Sequence, residues 1–394
     1  MPTNPPRRPN PLRSMPLLSN GIRPFFLAAS IWAATAMALW VATLTGHLNL
    51  DPRYGVIAWH AHEFLFGYVG AVLAGFLLTA APNWTGRPPL TGAPLLALFG
   101  LWLAGRLALL AYAHLGLVAL AIDSSLLIVV ALWFAREIIA ARNWLNLRVV
   151  ALITALATAN VLFHWEVVRT GAPDVAVRVA LALIVSLIMV IAGRITPTFT
   201  RNWLIARKRP PYPTAFDRID ALAITCGVAG LVAWAAMPRH AASAGLLLAG
   251  GAAQLVRLAR WRGAATVGEP LILILHVGYA FVPLGFVAAG LSVLRPDVLP
   301  ASAALHAWTA GAIGVTTLGV MTRVALSDTG RPPRAPRVTS LIYAAAVLAA
   351  LLRIVAPLSS YTLTLLEAAA VAWVLAFAGF VVVYGPFLVR ESVD

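Results

Sequence analysis

Twelve apolar stretches, each long enough to cross a bilayer as a helix, leave this chain few folds to choose from. They lie at about 25–45, 57–81, 93–113, 117–139, 148–168, 175–197, 217–236, 242–260, 270–292, 300–323, 338–357 and 362–385, close to the ~20 residues that span the hydrocarbon. Lipid offers no hydrogen bonds to backbone N–H and C=O groups, so each stretch is expected to be helical. Composition agrees: 61% of the 394 residues are hydrophobic and 11% charged, with mean hydropathy +0.86. A soluble domain carries about 25% charged residues. The expected fold class is therefore an all-α polytopic membrane protein. Residues 1–23, rich in proline and arginine, read as a disordered basic tail without the apolar core of a signal peptide. Residues 24–394 read as a single twelve-span domain.

The net charge of +15 follows topology. Arg87, Arg142, Arg207, Lys208, Arg209, Arg262 and Arg331 fall in the tail-side loops, against Arg53, Arg169, Arg239 and Arg295 on the other side. The positive-inside rule then places both termini in the cytoplasm of a bacterial inner membrane. The surplus charge is accounted for by orientation and by anionic membrane lipid, so no nucleic-acid partner is expected. The lone Cys226 excludes disulfides, cysteine-based zinc sites and iron–sulfur clusters. Any metal must be held by histidine, carboxylate or methionine.

The chain also repeats itself. Arg-Pro-Pro recurs at 87–89, 209–211 and 331–333, 122 residues apart each time. Aligning 62–89 with 306–333 without a gap pairs His62 with His306, and Gly67, Gly70 and Gly75 with Gly311, Gly314 and Gly319. The reading is three parallel four-helix units, about 24–145, 146–267 and 268–394. The paired glycines suit either close helix packing or a flat ligand against the backbone.

Intramembrane polar groups are the candidate site, because each costs roughly 2.5–3.5 kcal/mol to insert and is rarely kept without a partner. Trp59-His60-Ala61-His62-Glu63 opens the second span. On a helix His60 and His62 point about 200° apart, so one helix can serve two centres. His164 and His306 fall at a similar outer depth, while His276, sharing a face with Tyr279, lies towards the cytoplasm. Neutral imidazole ligates iron, copper and zinc. Two imidazoles from facing helices, on spans two and ten, suit bis-histidine haem ligation, and several histidines with Glu63 suit a copper or iron atom. The expected ligands are His60, His62 and His306, followed by His276 and His164. Arg194 is a candidate for a haem propionate, and Glu63 and Tyr279 are candidate catalytic groups. Arg106–Asp123 and Arg353–Glu367 are expected ion pairs between helices. The contrasting reading of the histidines is a hydrogen-bonded interfacial cluster.

The chain resembles the NnrS family of membrane proteins. The resemblance rests on Arg23-Pro24-Phe25-Phe26, Trp59-His60-Ala61-His62-Glu63, Gly75-Phe76-Leu77-Leu78-Thr79-Ala80 and Pro82-Asn83-Trp84-Thr85-Gly86. It continues through Gly193-Arg194-Ile195-Thr196-Pro197, His276-Val277-Gly278-Tyr279, His306-Ala307-Trp308-Thr309 and Met321-Thr322-Arg323. It implies a haem- and copper-containing protein, the haem b-type, tied to denitrification and protection from nitric oxide. A weaker architectural similarity links three four-helix units with histidines on spans two and ten to haem–copper oxidase and nitric-oxide reductase catalytic subunits. Those proteins hold their non-haem metal with histidines on spans six and seven, and here neither span has one.

The expected function is a haem protein that binds or turns over nitric oxide, with an activity like that of a nitric-oxide reductase. The alternatives are a transporter and an assembly partner of a respiratory complex. No motif names an electron donor. The topology is checked by cysteine accessibility on a Cys226→Ser background. Cysteines placed in the turns at 87, 209 and 331 should be labelled only from the cytoplasmic side, and labelling from the periplasm would reverse the orientation.

Overall fold

The computed structural model describes residues 15–50 and 54–393. Twelve helices long and apolar enough to cross a membrane follow one another. They are span 1 (Ile22–Leu44), span 2 (Val56–Thr85), span 3 (Ala93–Leu110), span 4 (Leu117–Ala140), span 5 (Trp144–Thr170) and span 6 (Asp174–Ala206). The rest are span 7 (Arg218–Ala236), span 8 (Ala241–Ala259), span 9 (Pro270–Leu294), span 10 (Ala301–Asp328), span 11 (Arg337–Leu358) and span 12 (Thr362–Val389). The described residues contain no strand. Every expected span is present.

Span 6 runs on past its expected end near 197, although Pro197 lies inside it. Proline lacks an N–H and so leaves the carbonyl four residues earlier without a helical partner. That carbonyl belongs to Gly193, and Nη2 of Arg257 on span 8 donates to it at 3.1 Å. A neighbouring helix thus repairs the break, as a chain in lipid requires.

Of the expected tail, residues 1–14 lie outside the described residues. From Met15 onward the chain is folded, which corrects the expected tail boundary. Pro16–Leu18 form a 3-10 turn with Leu18 buried, and Arg23 belongs to span 1. Arg23 is 2% exposed. Its guanidinium donates to Asp328 Oδ2 (3.2 Å) at the end of span 10, to the Arg390 carbonyl (2.6 Å) and to Ser392 Oγ (2.7 Å). A charge this buried needs such partners, and they fasten both ends of the described chain to one face of the bundle.

Span 12 packs on span 1 and closes the bundle, while spans 2, 6 and 10 meet in the interior. The aligned spans 2 and 10 share two further features. Each ends at a glycine in the left-handed region, Gly86 (φ +68°) and Gly330 (φ +70°), where a side chain would be strained. Each also widens to π-helical geometry immediately after its aligned histidine, over Glu63–Tyr68 and Ala307–Val315. One added residue per π turn re-aims the side chains around it, and such turns concentrate at functional sites. At the start of span 7, Asp217 caps the helix by accepting from Ile219 N (2.9 Å). The Arg260 guanidinium beside it holds its carboxyl down at about 2.

Arg257 anchors the middle of the bundle. Besides Gly193 it donates to Asp220 Oδ1 (2.9 Å), the Met189 carbonyl (2.8 Å) and Tyr279 Oη (2.8 Å). Replacing Arg257 by Met leaves buried Asp220 to the longer contact with Arg260 Nη1 (3.3 Å) and should cost about 1–3 kcal/mol. Thermal unfolding in detergent checks this. The double variant Asp220→Asn/Arg257→Met should recover part of the loss, and a single variant as stable as the parent would contradict it.

Candidate functional site

Span 2 presents His60 and His62 to opposite sides, as their spacing requires, and each enters a different environment. On one side lies a polar cluster closed off from solvent. His62, Glu63, Arg106, Asp123, Asn160 and His164 come from spans 2 to 5 and are all buried. Arg106 bridges the two carboxylates, with Nη1 2.5 Å from Glu63 Oε2 and Nη2 donating to Asp123 Oδ1. Trp32 Nε1 donates to Glu63 Oε2 at 2.6 Å. Asp123 Oδ2 gathers the rest: His62 Nε2 at 3.0 Å, His164 Nε2 at 2.9 Å and Asn160 Nδ2 at 3.0 Å. Tyr54 Oη lies 2.8 Å from His164 Nδ1.

Charge and donor counting say what this cluster wants. Glu63 and Asp123 carry two negative charges against one positive charge from Arg106. One further positive charge balances the group, a condition that burial in lipid enforces. Both ring nitrogens of His62 face oxygen acceptors, with Nδ1 3.2 Å from Glu63 Oε1 and Nε2 2.9 Å from Asn160 Oδ1. A ring so placed either carries that charge or gives one nitrogen to a metal ion. His62, Asp123 and His164 each offer one ligand atom, and the three atoms lie within 4.8 Å of one another. Two imidazole nitrogens and a carboxylate oxygen suit copper, zinc or iron.

On the other side of span 2, His60 lines a cavity of about 890 Å3 that also contains His306. Cofactor pockets run to roughly 300–1,000 Å3. The walls are mostly apolar, from Trp40, Phe64, Ile313 and Trp373 among others, and the cations on them are Arg178, Arg239 and Arg353. His306 Nδ1 lies 2.6 Å from the Ser302 carbonyl. The Nδ1–H donates there, which leaves Nε2 as the free ligand nitrogen. The His60 ring stacks on Trp40, with centroids 4.0 Å apart at 26°. Its buried Nδ1 has no hydrogen-bond partner among the described residues, and neither does the cavity-lining Thr309 Oγ1.

The structure therefore brings His60 to His306 and His62 to His164, and keeps the remaining candidates apart. His276 Nε2 pairs with Thr200 Oγ1 at 2.7 Å and lines neither site. Tyr279 is taken up by Arg257 and by Gln254 Oε1, which accepts its hydroxyl at 2.7 Å. Arg194 is exposed on span 6 and does not line the cavity, so it is not placed to meet a cofactor there. It lies too far towards the other end of the span, and Arg178, four turns earlier, takes that position. Arg106–Asp123 is paired as expected, but Glu367 is exposed on span 12 while Arg353 lines the cavity. The paired glycines serve packing. A Cβ at Gly75 would sit 2.9 Å from Phe25, one at Gly311 2.4 Å from Phe281 and one at Gly314 2.6 Å from Trp373.

Sequence reasoning missed Trp32, Tyr54, Asn160 and the cavity arginines. Asn160 carried a usable signal, since it precedes His164 by one helical turn and shares its face. Tyr54 lies just before span 2 and has no spacing that marks it.

The model of the family described as NnrS protein matches residues 16–392. No match was found among curated proteins.

Gly67 tests the geometry of the cluster, because a Cβ there would lie 2.3 Å from Arg106 Nη1 and 2.7 Å from Glu63 Oε2. Gly67→Ala should destabilise the protein by about 1–3 kcal/mol by overpacking. Gly100→Ala, where a Cβ meets nothing within 4 Å, should not. Thermal melts of the two variants in detergent decide it, and equal melting temperatures would count against the assigned Arg106–Glu63 contact.

Proposed function

The chain belongs to the NnrS family, and from that premise we propose that it is a haem-binding protein of the bacterial inner membrane that takes up nitric oxide. The observation that carries the reading is the convergence of His60 and His306, from spans 2 and 10, on one cavity of about 890 Å3. The donor set fits haem. The two imidazoles would hold its iron, and Arg178, Arg239 and Arg353 are the cations available to its propionates. Bound haem would supply an iron able to take a small diatomic gas and to change charge by one electron.

The residues around it have definite tasks. Phe64, Trp373 and the other apolar walls exclude water from the cavity. The stack on Trp40 holds the His60 ring, and the Ser302 carbonyl holds the His306 ring. On the far side of span 2, His62, Asp123 and His164 would hold a second metal, copper in keeping with the family resemblance. Glu63 and Arg106 would set the local charge, and His62 Nδ1 would stay bonded to Glu63. Nitric oxide is neutral and apolar enough to enter from lipid, which suits a cavity with these walls. The shared π turns, the left-handed glycine caps and the meeting of spans 2, 6 and 10 support three parallel four-helix units, in the manner of the haem–copper oxidases.

A visible spectrum with metal analysis tests the assignment. Protein purified after haem-sufficient expression should show a Soret band, and the His60→Ala/His306→Ala double variant should lack it while still inserting. His62→Ala and His164→Ala should each lower copper content and keep the Soret band. A parent protein without any Soret band would overturn the haem reading and leave transport as the better account of a twelve-span bundle with a central cavity.

A further inference from the structure

The two imidazoles of the cavity are not equivalent, and we infer that His306 is the ligand that retains the haem iron while His60 is the one that yields its place to an incoming diatomic molecule. This rests on the haem reading above and goes beyond it by assigning the open side.

His306 is prepared as a permanent ligand. Its Nδ1–H donates to the Ser302 carbonyl at 2.6 Å, one turn earlier on the same helix. That bond fixes the tautomer and the ring plane and makes Nε2 a stronger donor to a metal. The support is main chain within one helical turn, so it moves only if the helix moves. His60 has no such support. Its Nδ1 is buried without a partner among the described residues, and only stacking on Trp40 and contact with Phe64 (4.9 Å) hold its ring. Stacking restrains a ring against tilting out of its plane, but it resists rotation within that plane far less than a hydrogen bond does. A ring nitrogen left unpaired in an apolar site is itself costly, so the His60 conformer has little to lose by turning away.

The cavity offers the newcomer polar contacts as well. Trp40 Nε1 and Thr309 Oγ1 belong to cavity-lining residues and have no hydrogen-bond partner among the described residues. An indole N–H and a hydroxyl favour a small bound molecule with an electron-rich end, such as an oxide of nitrogen or carbon monoxide. Apart from its arginines the lining is mostly apolar, and a neutral diatomic molecule meets no charge requirement there.

Single variants of the full chain, read by absorption spectroscopy, decide between the two histidines. His60→Ala should keep its haem and give the spectrum of a five-coordinate, high-spin iron. His306→Ala should lose its haem, because the ligand that is held by its own hydrogen bond is gone. In the reduced protein, carbon monoxide should bind faster per bound haem to Trp40→Leu than to the parent, because the His60 ring is then less restrained. This variant keeps the test open should either histidine variant fail to fold. Haem lost from His60→Ala and kept by His306→Ala would reverse the assignment. Equal loss from both, or carbon monoxide binding unaltered in Trp40→Leu, would overturn it. A parent protein without a Soret band would instead sink the haem reading itself, and a Soret band that survives in the double variant would show that neither histidine holds the haem.

Discussion

Arg106 stands between two carboxylates in an apolar interior, and much of the first third of the protein is arranged to keep it there. Spans 2, 3 and 4 each contribute one charge, Glu63, Arg106 and Asp123, and none of the three is tolerable alone at that depth. The cluster needs a residue without a side chain at Gly67, where any Cβ would strike the guanidinium. It also uses Trp102, whose Nε1 donates to the Gly67 carbonyl at 2.9 Å, and Trp32 on the second oxygen of Glu63. These contacts fix the rotation of span 2 about its axis. Once Glu63 and His62 are committed to this side, His60 is committed to the other. The cavity thus receives its first imidazole because of an ion-pair network that it does not share.

The second imidazole arrives by a different route. Spans 2 and 10 align in sequence, turn to π geometry at the same point and end in the same left-handed glycine, yet the charges of span 2 have no counterpart on span 10. Glu63 aligns with Ala307, and Arg106 and its partners have no equivalent ion pair there. His306 is instead oriented by its own helix through Ser302. Span 6 lies beside both and keeps neither the histidine nor the π turn; Ile184 occupies the aligned position. Two of three similar helices therefore carry a histidine at this position, and each orients it by a different device.

Much of this was legible in the chain. Twelve apolar runs fixed the number of spans and, apart from the end of span 6, placed their ends to within a turn or so, because backbone burial in lipid leaves no other choice. The opposite aims of His60 and His62 followed from helical geometry alone. Asp123 and Arg106 read as a pair between neighbouring helices, whereas Glu63, the third member, reads with the adjacent histidines as a metal-binding or catalytic group. What escaped were contacts that depend on rotation about a helix axis. Arg194 and Arg353 both read as charges near a span end. Only packing determines that one faces outward and the other lines the cavity. Pro197 hid the true end of span 6 for a similar reason, since the cation that replaces its missing hydrogen bond comes from a helix some sixty residues away in sequence.

The placement of the cavity cations carries one last consequence. Arg178 starts span 6, Arg239 sits between spans 7 and 8, and Arg353 nears the end of span 11, so three separate elements bring arginines to the cavity walls. Long cationic side chains at a span end keep their heads towards water while their stems cover apolar surface. An apolar cavity with cations on its walls suits an amphipathic planar ligand, with its acidic edge at the arginines and its apolar edge against the apolar lining. Under the haem proposal, orientation and ligation would be set by different parts of the fold. The arginines belong to spans 6 and 11 and a loop, whereas the imidazoles belong to spans 2 and 10. Loosening one histidine would then not release the haem, because its acidic edge would remain held by the arginines.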